Sequence, residues 1–146
     1  MQGFAISNSS SKNIKQKANR IILDLFEIGI KTKYKILGKY IYIESKDKIT
    51  QKHLDETIYY AKLSTDKKDD IFSSIKVLIK DTKEPESFAV KVARKGEHKY
   101  SSTELAKEVA GAAFEEWPTV NVNLDSPTLE INIQIINNRS IIYLRN

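Results

Sequence analysis

Apolar positions along the chain follow two rhythms, one of period two and one of three to four. Residues 3–8 (Gly3-Phe4-Ala5-Ile6-Ser7-Asn8) form a short apolar run that predicts a strand. Ile14, Ala18, Ile21, Ile22, Leu25 and Ile28 then recur at helical spacing. Ser9 to Ser11 offer N-caps to that helix, and Gly29 sits where a left-handed C-cap belongs. Residues 32–37 and 39–44 read as two strands around Leu37-Gly38-Lys39. In the second, Ile41 and Ile43 alternate with Tyr40 and Tyr42, so one face is aliphatic and the other aromatic. Thr50 is placed to cap another helix, with Leu54, Ile58 and Ala61 inward.

Thr65 and Asp66 open the next predicted helix, which puts Ile71, Phe72, Ile75, Leu78 and Ile79 on one side. Asp81 to Ser87, with Pro85, is a loop. Phe88, Val90 and Val92 alternate as a strand. Ser101 and Glu104 have capping-box spacing before a helix that buries Leu105, Val109 and Ala112. Gly111, Ala112 and Ala113 are small and predict close packing against a sheet. Trp117-Pro118 stops the helix. Val120, Val122 and Leu124 predict a strand, Asp125-Ser126-Pro127 a turn, and Leu129, Ile131, Ile133 and Ile135 the most regular strand. Asn137-Asn138 turns the chain into a last strand over 141–144.

Strand, helix, strand, strand, helix is most of a ferredoxin-like subdomain, although its final strand is not evident. The predicted fold class is therefore α+β. A ferredoxin-like N-terminal domain is expected over residues 1–64, followed by a second α/β domain over residues 65–146. No apolar run reaches the length of a membrane span, and MQGFAISNSS does not read as a signal peptide. The absence of Cys excludes disulfides, thiolate metal sites and a catalytic thiol, and a cytoplasmic location is expected.

Charge sharpens the picture because it is uneven. Residues 1–80 hold 16 Lys/Arg against 9 Asp/Glu, a net of +7, whereas residues 81–146 carry −2. Lys12, Lys15, Lys17, Arg20, Lys31, Lys33, Lys35 and Lys39 stand against only Asp24 and Glu27 within 12–39. Lys12, Lys15 and Lys17 fall at the start of the first helix, the end where its dipole disfavours cations. Helix stability does not explain them, and attraction to a polyanion such as nucleic acid does. The alternative is a solvated face that only keeps the protein soluble.

Catalytic equipment is missing from the pattern. His53 and His98 lie 45 residues apart without metal-ligand spacing, and no glycine-rich phosphate or dinucleotide loop is present. Asp69-Asp70 and Glu115-Glu116 are sequence neighbours, which a helix splays about 100° apart. No metal, cofactor or catalytic residue is expected, and the chain reads as a non-enzyme. The positive signal is Lys91, Arg94, Lys95, Lys99 and Lys107, with Glu97 and Glu104 the only acids in that segment. Arg94, Lys95 and Gly96 follow a strand and precede a helix, so cationic side chains and free helix N–H groups can meet phosphate oxygens together. His98 and Tyr100 add rings of the kind that stack on an exposed base. Tyr100 reads more readily as an apolar staple beside the helix cap.

Three stretches together resemble the THUMP domain, an RNA-binding module found beside the catalytic domains of tRNA-modifying enzymes. They are Phe88-Ala89-Val90-Lys91-Val92-Ala93-Arg94, the helix from Glu104 to Ala112, and the turn Val122-Asn123-Leu124-Asp125-Ser126-Pro127. The resemblance implies a ferredoxin-like N-terminal domain, and tRNA held by both domains, commonly through its acceptor stem and 3′ end. Asn123 departs from the Asp common at that position. With Lys12, Lys15, Lys17, Arg20, Lys33, Lys35, Lys91, Arg94, Lys95, His98, Lys99 and Lys107 as candidate RNA-binding residues, the implied role is a tRNA-binding adaptor. It would present tRNA to a modification enzyme acting in trans, a tRNA cytidine acetyltransferase being favoured. The alternatives are a split RNA-binding subunit of a 4-thiouridine synthetase or other tRNA-modifying enzyme, and a protein–protein interaction domain without RNA binding.

Overall fold

The computed structural model describes residues 1–146, which divide into two compact units, Met1–Ala61 and Lys62–Asn146. In the first unit, β1 (Gln2–Ser7) leads to α1 (Ile14–Glu27), then to β2 (Thr32–Leu37) and β3 (Tyr40–Ser45). The next strand, β4 (Tyr59–Thr65), starts in this unit and ends in the second. The order β2-β3-β1-β4, antiparallel throughout, is the ferredoxin-like one. Ile14, Ala18, Ile21 and Leu25 of α1 bury one face on Phe4, Ile6, Ile41 and Ile43 of the sheet.

Local chemistry explains how α1 begins and ends. Its C-terminus is a Schellman turn: Ile30 N–H bonds Leu25 O at 2.9 Å and Gly29 N–H bonds Phe26 O at 3.0 Å, with Gly29 at φ +87°. Ile30 and Leu25 are both core residues, which supplies the apolar contact of that motif. The expected serine caps do not form. Asn13 is the N-cap, in a left-handed conformation and without a side-chain cap bond, while Ser10 Oγ accepts from Lys12 N–H.

The helix expected after Thr50 is a single 3-10 turn, Gln51–His53, followed by extended chain into β4. Thr50 N–H is taken by His53 Nδ1 at 3.0 Å, so the cap closes one turn and stops. Gln51 then bonds Leu54 O, Glu56 O and Ile58 N–H with its side-chain amide. Backbone groups that a helix would pair internally are thereby satisfied in a loop. The final ferredoxin-like strand thus begins within the segment read as helical and runs on to Thr65.

In the second unit, α2 (Lys68–Ile79), β5 (Ser87–Lys95), α3 (Ser102–Glu116), β6 (Asn121–Val122), β7 (Leu129–Ile136) and β8 (Arg139–Arg145) follow β4. β5 runs parallel to β7 from Phe88↔Leu129 to Lys95↔Ile136, and β8 returns antiparallel to β7. Ile71, Ile75, Leu78 and Ile79 of α2 and Leu105, Val109, Ala112 and Ala113 of α3 share one core with Phe88, Ile131 and Ile133 of the sheet. α3 starts at the expected cap, and of the capping box the Ser101 half forms, Ser101 Oγ accepting from Glu104 N–H at 3.0 Å. Gly111 faces Phe72 of α2 rather than the sheet; an added Cβ would lie 3.2 Å from that ring.

The strand expected over 120–124 shrinks to the two residues of β6, and Val122 and Leu124 are exposed. Asn123 explains why. Its Oδ1 accepts from Asp125 N–H at 3.1 Å and Ser126 N–H at 3.0 Å, turning the chain at once. An amide oxygen does here what an aspartate oxygen would do, so the departure from Asp keeps the turn.

Candidate nucleic-acid interface

β5 ends on Arg94 and Lys95, and Gly96 turns the chain at φ +105°. A Cβ at residue 96 would fall 2.5 Å from Asn137 Oδ1, so glycine allows this loop to close on the β7–β8 turn. Asn137 N–H bonds Lys95 O at 2.8 Å across the closure. His98 spans the same gap, with Nε2 2.7 Å from Asn137 O and Nδ1 3.2 Å from Arg94 Nη1. A carbonyl only accepts and a guanidinium only donates, so the ring carries its proton on Nε2 and offers Nδ1 to Arg94. Arg94 Nε–H also donates to Ser102 Oγ at 3.2 Å, at the first turn of α3. Two of the five guanidinium N–H groups are used, and three remain on an exposed side chain.

His98 was a candidate for direct RNA contact, and the structure corrects that assignment. Its side chain is 1% exposed and stacks on Tyr100, with ring centroids 5.5 Å apart and planes at 22°. The ring leaves almost no surface on which a base could stack. Tyr100 is buried as a staple beside the cap, and its hydroxyl donates to Asp66 O. Burial, and then the Asp66 carboxylate, push the Tyr100 hydroxyl above its usual range, with Arg94 acting in the opposite direction.

Beside this clamp lies a depression of about 680 Å³, lined by Asp66, Lys67, Lys68, Glu97, His98, Lys99 and Tyr100. Lys99 is exposed there. Lys67 and Lys68 were missed by sequence reasoning, although a lysine doublet at a predicted helix start was the available signal. Lys68 Nζ lies 5.6 Å from the Tyr100 ring centroid and 3.0 Å from Glu108 Oε1. Lys91 is partly engaged: its Nζ donates to Leu124 O at 2.8 Å and ties down the loop after β6. Lys107 stands exposed on α3, two residues beyond buried Leu105 and pointing away from the core.

In the first unit the expected cluster separates into two. Lys12, Lys17 and Arg20 line a depression of about 520 Å³ with Asn8, Ser9, Ser10, Asn13 and Gln16, at the start of α1, and Lys15 is exposed nearby in sequence. Lys17 is already engaged, 2.8 Å from Asn8 Oδ1 and 3.1 Å from Glu56 Oε2. Lys33 and Lys35 lie on the other face of the sheet. Tyr34 and Ile36 pack on the α1 side, and Tyr34 OH donates to Asn19, so the period of two sends the lysines away from α1. Lys33 faces Glu44 directly across the β2–β3 pair. These six bases therefore do not make one patch.

No group of three or more His, Asp or Glu side chains is arranged to hold a metal, and no helix is long and apolar enough to cross a membrane. Among known proteins, the chain is similar to the tRNA sulfurtransferase of Tolumonas auensis, with 35% identity over 75 residues. That match takes in 51% of this chain, which spans only 15% of the relative's length. A tRNA sulfurtransferase of Klebsiella pneumoniae is 32% identical over 73 residues, again covering 15% of the relative. Its fold matches a crystal structure of a 4-thiouridine synthetase–RNA complex with bound ATP, with a TM-score of 0.72 and 13% identity, covering 99% of this chain and 41% of that one. PH1313 from Pyrococcus horikoshii gives a TM-score of 0.69 at 16% identity, with coverage of 99% and 54%. Residues 66–145 match the THUMP domain family, more than half of the chain, and the protein is a member of that family.

Proposed function

We propose that this chain holds tRNA for a modification enzyme whose catalytic groups lie outside residues 1–146. One observation carries the reading: Arg94 is held at two points and still has three N–H groups to offer a phosphate. Lys95 follows it in the chain, and Lys99 and Lys67 line the neighbouring depression. Residues 1–146 would bind and orient RNA and perform no reaction themselves, acting in the cytoplasm. The sulfurtransferase relatives favour sulfur transfer to a tRNA base as the partner's reaction. Cytidine acetylation, the reaction favoured by the family resemblance of the sequence, is the second candidate.

Replacing Arg94 and Lys95 together with alanine should weaken tRNA binding by about 1–3 kcal/mol while leaving the fold intact. Fluorescence anisotropy with labelled tRNA measures it, and unchanged affinity removes the assignment. Incubating tRNA and this protein with each candidate enzyme, followed by mass spectrometry of the nucleosides, separates 4-thiouridine from acetylcytidine. A modified nucleoside formed by this protein alone would refute the non-catalytic role.

A further inference from the structure

We infer that His98 is a positioning residue for RNA binding, acting through Arg94; this rests on the assignment of Arg94 as a phosphate contact. Arginine is long and flexible, and an exposed arginine at a strand end samples many rotamers in water. Ordering it on binding costs free energy that a preorganised side chain has already lost. Here the guanidinium is held from two directions. Ser102 Oγ takes Nε–H, and His98 Nδ1 takes one Nη1–H.

The second anchor works only if His98 is itself fixed, and its surroundings fix it. Nε2–H donates to Asn137 O at 2.7 Å, and the Asp66 carboxylate lies 3.8 Å from the same nitrogen. The ring stacks on Tyr100, whose hydroxyl is tied to Asp66 O. Asn137 is fixed in turn by its own N–H to Lys95 O. Both groups at Nε2 favour a proton there, which leaves Nδ1 as the acceptor that Arg94 requires. The histidine thus passes the rigidity of the β7–β8 turn to a side chain on β5, without touching RNA.

The test uses the full chain and four variants: Arg94→Ala, His98→Phe, His98→Gln and the double variant Arg94→Ala/His98→Phe. Phenylalanine keeps the ring and its stacking but removes both hydrogen bonds. Glutamine supplies one acceptor and one donor. Binding to unfractionated tRNA is measured at fixed salt, with the urea midpoint as a control for folding. His98→Phe should weaken binding roughly threefold to tenfold, the factor for re-ordering one long side chain. In the Arg94→Ala background the same change should do almost nothing, and His98→Gln should recover most of the affinity. Equal effects of His98→Phe in both backgrounds would show a purely structural histidine and overturn the inference.

A second measurement does not depend on RNA. In free wild-type protein the Arg94 Nε–H signal should show high order by 15N relaxation, and it should become mobile in His98→Phe. An Arg94 signal equally mobile in both proteins overturns the inference, whatever the binding data give. Failure of the phosphate assignment is distinguishable, because there Arg94→Ala alone leaves tRNA affinity unchanged.

Discussion

At the scale of single residues, Tyr100 shows how a buried phenol ties stability to pH. Its hydroxyl is held in the protonated form by burial and by the nearby Asp66 carboxylate, so its folded-state pKa lies above the ordinary value of 10.0. Below that ordinary value the tyrosine is protonated in both folded and unfolded chains, and its contribution to stability is fully present. As pH rises beyond 10.0 the unfolded chain releases the proton first, and stability falls until the folded-state value is passed. Tyr100→Phe should remove the hydrogen bond to Asp66 O, a cost of about 1 kcal/mol at neutral pH. It should also flatten part of the alkaline decline. Urea midpoints of both proteins between pH 8 and about pH 11 check this; parallel declines would show that Tyr100 is not the titrating group. The same scale explains what the sequence hid at the interface. Arg94 and Lys95 could be placed at a strand end from alternation alone. That His98 turns inward depends on Asn137, 39 residues away, which no local pattern announces.

At the scale of elements, legibility followed the number of competing partners. α2, α3, β5 and β7 were readable because a long apolar stripe or strict alternation leaves one burial solution. Residues 50–61 were misread because Leu54, Ile58 and Ala61 fit a helical face, while Tyr59, Ala61 and Leu63 fit a strand equally well. Gln51 settles the matter by taking backbone groups on both sides of the loop. Lys33 and Lys35 were correctly placed on a strand, yet grouped with α1 because charge runs along a sequence ignore the two faces of a sheet. α1 gives the element-scale prediction. Gly29 stands at φ +87° with open space around it, so the backbone conformation alone requires glycine. Gly29→Ala should cost about 1 kcal/mol, read as a lower urea midpoint with an unchanged slope. An unchanged midpoint would mean that the Schellman turn contributes little to this helix.

At the scale of the whole molecule, charge and geometry are divided between the two units. Met1–Ala61 contains 11 Lys/Arg and 6 Asp/Glu, a net of +5, whereas Lys62–Asn146 contains 13 of each and is neutral. The long-range field of the protein therefore originates in the unit without the arginine clamp. Exposed charges mainly raise the encounter rate and are screened by salt, whereas a held, directional hydrogen bond mainly slows dissociation. Lys12, just before α1, and Lys15 and Arg20 on it are exposed, unlike Lys17 with its two partners. Replacing those three with glutamine should lower the association rate for tRNA and leave dissociation nearly unchanged. The slope of log affinity against log salt should fall by about 0.7–0.9 for each phosphate no longer neutralised, so by about 2.1–2.7 for the triple variant if all three cations meet phosphates. Arg94→Ala should do the reverse, raising the dissociation rate and changing the salt slope by no more than one phosphate's worth. Stopped-flow kinetics at several salt concentrations separates the two effects. If the triple variant keeps the wild-type slope, these three cations are solvated surface and binding rests on the neutral unit alone.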